Sequence, residues 1–266
     1  MQDFLTIHDP TDEEFGRIFD QAVALRERRG THESLLTGQS LLMVFEKPSL
    51  RTRLSFEQAI VELGGTPICM AGGEVGVGSR EKPADVARVI EGMVDGLIGR
   101  VYEHSKLEEI AAATDLPVVN ALSDDSHPCQ ALADVLTMMD EFGRDLAGRT
   151  IAFVGDGNNV ARSLAAAAGR LGMRFILAGP SGYGFPPSVV DRLMAQTPSL
   201  ELTFTSDARE AVAAADVIYT DTWVSMGQED EKADRLRAFE GFKVTEQLVA
   251  AAPDHAIVMH CLPAYR

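Results

Sequence analysis

Cysteine is scarce: Cys69, Cys129 and Cys261 are the only three in 266 residues, and no two form a CxxC pair. That excludes a disulfide framework and a cysteine-rich zinc site, and the three read as reduced thiols of a cytoplasmic protein. Basic residues are also in the minority, with 24 Lys plus Arg against 40 Asp plus Glu, a formal charge of −16. A chain of that sign is not expected to coat nucleic acid or an anionic membrane. Any phosphate it handles must be held by a few local arginines. No apolar run approaches the roughly 20 residues that span a bilayer. The start, Met1-Gln2-Asp3-Phe4, lacks the basic-then-apolar layout of a secretory leader. No GxxxxGK[ST] loop, internal repeat or low-complexity tract occurs.

What is present is a 45% hydrophobic chain, enough for a sizeable core, in which helical and strand-like segments alternate. Residues 11–29 read as a helix with Thr11 as its cap, and 41–45 as a buried strand. A helix follows Ser49 and stops at Gly64-Gly65, ahead of a glycine-rich stretch from Gly72 to Gly78. Helices are expected over 83–94 and 105–114, and extended segments over 96–101 and 117–119. His127-Pro128 opens a long helix, with proline where a missing N–H costs nothing. The second half offers strands at 150–154, 174–178, 200–205, 216–220 and 256–260, an alanine-rich helix from Asn158 to Leu171, and a polar loop from Met226 to Asp234. The expected architecture is α/β: two open parallel-sheet domains with helices on both faces, joined by interdomain helices, residues 1–140 and 141–266.

Four segments carry chemistry. Ser49-Leu50-Arg51-Thr52-Arg53 stands where a strand gives way to a helix, and a helix start with hydroxyls and forked guanidinium donors suits a phosphate; the plain alternative is a capped surface helix with solvated arginines. His127-Pro128-Cys129-Gln130 also stands at a helix start, where an imidazole and an amide can meet a ligand carbonyl, or where the histidine is merely satisfied. Arg100 follows a strand and is either an anion ligand or a surface charge. Gly155-Asp156-Gly157-Asn158-Asn159 invites a dinucleotide reading. It fails on Val160 in place of the third glycine and on Ala178-Gly179-Pro180, which lacks the acid for a ribose. The turn still displays Asn159 to a small ligand. Asp221 and Cys261 follow apolar strands, and in an open parallel sheet ligands bind beyond such ends; the alternatives are a turn acid and a small core residue. His260 and Cys261, adjacent in an extended segment, are expected on opposite faces, which argues against a metal site.

Together these segments resemble the carbamoyltransferase family, on its ornithine-using branch. Phe45-Glu-Lys-Pro-Ser-Leu-Arg-Thr-Arg53 is similar to its SxRTR signature, His127-Pro-Cys-Gln130 to HPxQ, Asp221-Thr-Trp-Val-Ser-Met-Gly227 to DxxxSMG, and His260-Cys-Leu-Pro263 to HCLP, in order along nearly the whole chain. The resemblance implies a first domain for carbamoyl phosphate, a second for L-ornithine, and reaction in the cleft between them. It also implies a homotrimer or a multiple of trimers, a role in arginine biosynthesis, and no metal or organic cofactor. By the same resemblance, Ser49, Leu50, Arg51, Thr52 and Arg100 hold phosphate, while Thr52, Arg100 and His127 polarise the carbonyl. The Pro128, Cys129 and Gln130 turn fixes the carbamoyl amide. Asn159, Asp221, Ser225 and Met226 orient ornithine, and Cys261 with the Leu262 carbonyl sits near the attacking amine.

The family pattern continues past HCLP into helices that supply one more arginine, whereas this sequence stops at Arg266. A side chain that reaches a neighbouring subunit falls at Gly76, with Arg80 the nearby substitute. Rival readings are a truncated relative that only binds ligands or assembles, and a carbamoyltransferase for acylated ornithine or putrescine. The Ser225-Met226-Gly227 run favours free ornithine.

Overall fold

The structure is a computed structural model and describes residues 2–31, 33–224 and 229–264. The chain divides into two compact units, Met1–Cys129 and Gln130–Arg266. That division falls at the start of the helix opened by Pro128, about a helix length before the boundary expected at residue 140. The reason is visible in the contacts of that helix: Asp134 accepts a hydrogen bond from Tyr219 at 2.8 Å, which ties it to the second unit.

The first unit holds four parallel strands, β1 (Ser40–Phe45), β2 (Thr66–Ala71), β3 (Gly96–Arg100) and β4 (Val118–Leu122), in the order β2-β1-β3-β4. Its helices are α1 (Asp12–Glu27), α2 (Leu50–Glu62), α3 (Gly72–Val75), α4 (Pro83–Ile90) and α5 (His104–Ala111), and α6 (Pro128–Phe142) begins at its end. Thr11 caps α1 in a reciprocal capping box with Glu14. Alternation along β1 explains the layers. Leu42 and Val44 join a core with Val86, Ala87, Leu107 and Ile110 of α4 and α5, whereas Met43 and Phe45 join Ile60 of α2 on the other face. Strand β2 is not among the expected strands. It is an edge strand in which half-buried residues alternate with exposed ones, Ile68 among the latter, and none is fully buried, so its apolar pattern is weak.

The second unit holds five parallel strands, β5 (Thr150–Val154), β6 (Arg174–Ala178), β7 (Glu201–Thr205), β8 (Val217–Thr220) and β9 (Ile257–His260), in the order β7-β6-β5-β8-β9. Helices α7 (Asn159–Arg170), α8 (Pro187–Gln196), α9 (Ala208–Val212), α10 (Lys232–Ala238) and α11 (Glu246–Val249) complete it. Ala152, Val154, Ala178 and Ile218 pack against α9 residues and Phe239. Phe153 stacks on Tyr219 at 5.3 Å between ring centroids and lies 6.2 Å from Phe175. The polar stretch read as a loop to Asp234 is shorter than expected, because Glu229–Glu231 winds into a 3-10 turn and α10 starts at Lys232. No helix of the described residues is long and apolar enough to cross a membrane.

Both sheets switch direction once. In the first unit the chain moves from β1 outward to β2 and returns beside β1 as β3; in the second it moves from β5 to β7 and returns beside β5 as β8. The carboxyl ends of β1 and β3, and of β5 and β8, therefore flank the crevices where such sheets bind ligands.

Candidate active site

At the first crevice, Ser49 caps α2, its Oγ accepting from Thr52 N at 3.3 Å. The remaining N–H groups of the first turn face outward with the positive end of the helix. Across the switch point, Arg100 ends β3 with a side chain that is buried, and its Nη1 donates to Thr52 Oγ1 at 3.2 Å. The pairing of β3 with β4 slips at this residue, Gly99 facing Asn120 and Arg100 facing Leu122. Such an irregularity re-aims the side chain. Burial, then the nearby charge of Arg51, lowers the Arg100 guanidinium to about 10. Arg100 Nε has no hydrogen-bond partner among the described residues. Leu50 and Arg51 are exposed on the same turn.

Two residues that sequence analysis passed over belong here. Lys47 is buried, lies 4.5 Å over the Tyr102 ring, and is pulled down by burial first and Arg100 second. Glu46 accepts from Tyr102 N at 2.7 Å and from Lys106 Nζ at 2.9 Å, fixing the loop that carries Lys47 to Thr52. The signal for both was in the sequence: a Glu-Lys pair directly after an apolar strand, ahead of proline. Lys47, Arg51 and Arg100 thus crowd together in a chain of charge −16. Like charges brought together repel, the buried Lys47 and Arg100 most of all, and a multiply charged anion among them relieves that repulsion.

His127 sits within the field of this cluster. Its imidazole is drawn down to about 3, by desolvation first and by Arg100 second, and so stays neutral at physiological pH. Pro128 is buried. The Cys129 thiol turns inward to donate to Asn120 O at 3.6 Å, and burial pushes it up to about 12.

Gly76 adopts φ 71° at the end of α3, where a Cβ would lie 2.9 Å from that of Arg80. The Arg80 guanidinium donates to the carbonyls of Glu74 and Val75 at 2.9 and 3.1 Å, capping that turn.

At the second crevice, Asp221 follows β8 and is half-buried. It accepts from Asn158 Nδ2 at 2.8 Å, from Cys261 Sγ at 3.0 Å and from Thr222 N at 2.7 Å. Asn158 makes this contact and also caps α7 through Ala161 N at 3.0 Å. The Asn159 oxygen accepts from Val160 N at 3.1 Å. Gly157 permits the turn, since a Cβ there would sit 2.7 Å from the Gly184 carbonyl carbon. Asp156 is clasped by the buried Arg235 at 2.6 Å, and Arg235 also donates to Trp223 O at 3.2 Å. Burial and Asp221 push the Cys261 thiol far above its ordinary value. Ser225 and Met226 lie outside the described residues. Gln130, one turn ahead of Asp134 on α6, donates to it at 3.0 Å.

The expectation that His260 and Cys261 point apart is not met. Asp221, His260 and Cys261 bring one ligand atom each within 4.8 Å of the others. Strand β9 ends at His260, so the two-residue alternation does not extend to Cys261. Beyond it Leu262 takes φ 59°, and its N–H donates to His260 Nδ1 at 2.9 Å.

One crevice rich in cations and one presenting an acid, an amide and a thiol make the layout of a transferase with an anionic donor. The sequence profile described as the carbamoyl-P binding domain of aspartate/ornithine carbamoyltransferase matches residues 2–140, and that of the Asp/Orn binding domain matches residues 147–266. An ornithine carbamoyltransferase of Haloquadratum walsbyi is 46% identical, over 99% of this chain and 85% of that protein. Among solved structures, the ornithine carbamoyltransferase from Pyrococcus furiosus superposes with a TM-score of 0.94 at 41% identity, covering 100% of this chain and 86% of that one. The anabolic enzyme from Campylobacter jejuni gives 0.93 at 39%, covering 100% and 88%. The chain belongs to the aspartate/ornithine carbamoyltransferase family.

Proposed function

We propose that this protein transfers the carbamoyl group of carbamoyl phosphate to the δ-amine of L-ornithine, giving L-citrulline and phosphate. The observation that carries the reading is Arg100, buried at the end of β3 and bonded to Thr52 in the first turn of α2, with Lys47 and Arg51 close enough to act with it electrostatically. The neutral amine attacks the carbonyl carbon, the new C–N bond forms, the C–O bond breaks with its electrons leaving on phosphate, and the nitrogen gives up one proton to the departing phosphate. Negative charge grows on the carbonyl oxygen and on the leaving group, so donors aimed at both lower the barrier. Ser49 to Thr52 and Arg100 take the phosphate; Thr52, Arg100 and neutral His127 take the carbonyl oxygen. Gln130 takes the carbamoyl amide, with Pro128 and Cys129 shaping its turn. Asn159, Asp221, Ser225 and Met226 take the amino-acid end of ornithine, and Cys261 with the Leu262 carbonyl takes the amine. Residues 1–140 serve the first substrate and 141–266 the second.

The reading extends to arginine biosynthesis in the cytoplasm and to a homotrimer or a multiple of one. Self-association is supported by exposed Leu50, Leu54 and Val61, which share one stripe of α2, and by Ile68 on edge strand β2. A citrulline assay with ornithine, acetylornithine and putrescine tests the substrate; turnover confined to putrescine would refute it.

A further inference from the structure

Gln130 carries an amide with two different ends, and the reaction depends on which end meets the donor substrate. Its Nε2 donates to Asp134 Oδ1 at 3.0 Å, one helical turn along α6. The other carboxylate oxygen, Oδ2, accepts from Tyr219 Oη at 2.8 Å. Both oxygens of a buried carboxylate are thus engaged by donors. Burial pushes the Asp134 carboxyl up to about 7, while the bonds from Tyr219 and Gln130 act in the opposite direction. An ionised carboxylate accepts and cannot donate, so only the nitrogen end of the Gln130 amide can face it.

We propose that Asp134 sets the acyl-group specificity of the reaction by turning the Gln130 carbonyl oxygen toward the donor substrate. This rests on the carbamoyl-transfer reading above. Presented that way, Gln130 is an acceptor. A carbamoyl group offers it an N–H; an acetyl group of the same shape offers a methyl and leaves the buried acceptor unpaired. Asp134 touches neither reacting atom and is a positioning residue. Tyr219 contributes by filling the second oxygen, so the carboxylate has no reason to rotate.

The test uses acetyl phosphate as a competitor of carbamoyl phosphate in citrulline formation at pH 8, where Asp134 is ionised. Three quantities are read: the KM of carbamoyl phosphate, the KM of ornithine, and the inhibition constant of acetyl phosphate. Asp134→Leu removes both acceptor oxygens, so nothing on α6 holds the Gln130 nitrogen inward and its amide can present either end to the donor substrate. The ratio of the acetyl phosphate constant to the carbamoyl phosphate KM should fall about 10-fold, with the KM of ornithine little changed. A folded Asp134→Leu that keeps the wild-type ratio overturns the proposal. Should that variant not fold, Gln130→Met removes the discriminating amide directly, and an unchanged ratio there overturns it too. A wild-type chain that forms no citrulline instead removes the carbamoyl-transfer reading, and this proposal with it.

Discussion

The guanidinium of Arg100, at the last residue of β3, reaches Thr52 in the first turn of α2 at 3.2 Å. This bond joins the end of β3 to the helix that follows β1. It holds a planar donor fork where an anion at the α2 N-terminus would meet it. A lysine cannot reproduce a fork that binds Thr52 and an oxyanion together.

Arg100→Lys should therefore lower kcat/KM for carbamoyl phosphate by at least about 10-fold while leaving the KM of ornithine within a factor of about two. Initial-rate kinetics with each substrate varied in turn will check this. Equal loss for both substrates would point to general unfolding.

His127 gives a pH prediction in two parts. Its folded pKa, about 3, lies below its ordinary 6.5. The stability contributed by the neutral form is complete above 6.5 and is lost as pH falls toward 3. His127→Gln should accordingly lose less melting temperature than the wild type between pH 7 and pH 4. In catalysis, the histidine stays neutral across the working range, so the acid limb of kcat/KM for ornithine belongs to the substrate amine, and activity should climb with pH above neutrality. A flat profile would contradict that assignment.

Cys261 should be an unreactive thiol despite lying at the end of β9. Burial raises its pKa most, and Asp221 raises it further by its charge and by accepting the thiol's hydrogen bond. At pH 8 alkylation by iodoacetamide should be slow. Asp221→Asn, which removes that charge, should speed it while raising the KM of ornithine. Alkylation no faster in the variant would place the suppression elsewhere.

Much of this site could be read from the chain alone, because motifs at strand ends obey local rules. Ser49, Arg100, Asp221 and Cys261 each follow an apolar strand, and a parallel sheet sends such residues to its carboxyl edge. What escaped the sequence depends on pairing at a distance. The Asn158–Asp221 bond spans 63 positions and shows only in the folded turn. The Glu46–Lys106 bond spans 60 positions. Strand β2 is hard to see because it buries no residue fully and exposes Ile68, and the His260–Cys261 geometry because the strand ends one residue earlier than an extended run would.

The formal charge of −16 adds a prediction about solvent. Like charges on a folded surface repel, and salt screens them over about 8 Å at physiological ionic strength. Melting temperature should rise between 0.05 and 1 M KCl, on the order of those screening lengths contracting to about 3 Å. A melting temperature that falls with added salt would show that attractive pairs such as Arg235–Asp156 outweigh the repulsion.

The most direct measurement is citrulline formation from carbamoyl phosphate and ornithine by the wild-type chain and by Arg51→Met. The account predicts turnover by the wild type and a loss of about 10-fold or more in kcat/KM for carbamoyl phosphate in the variant. Undiminished synthesis by Arg51→Met would contradict it.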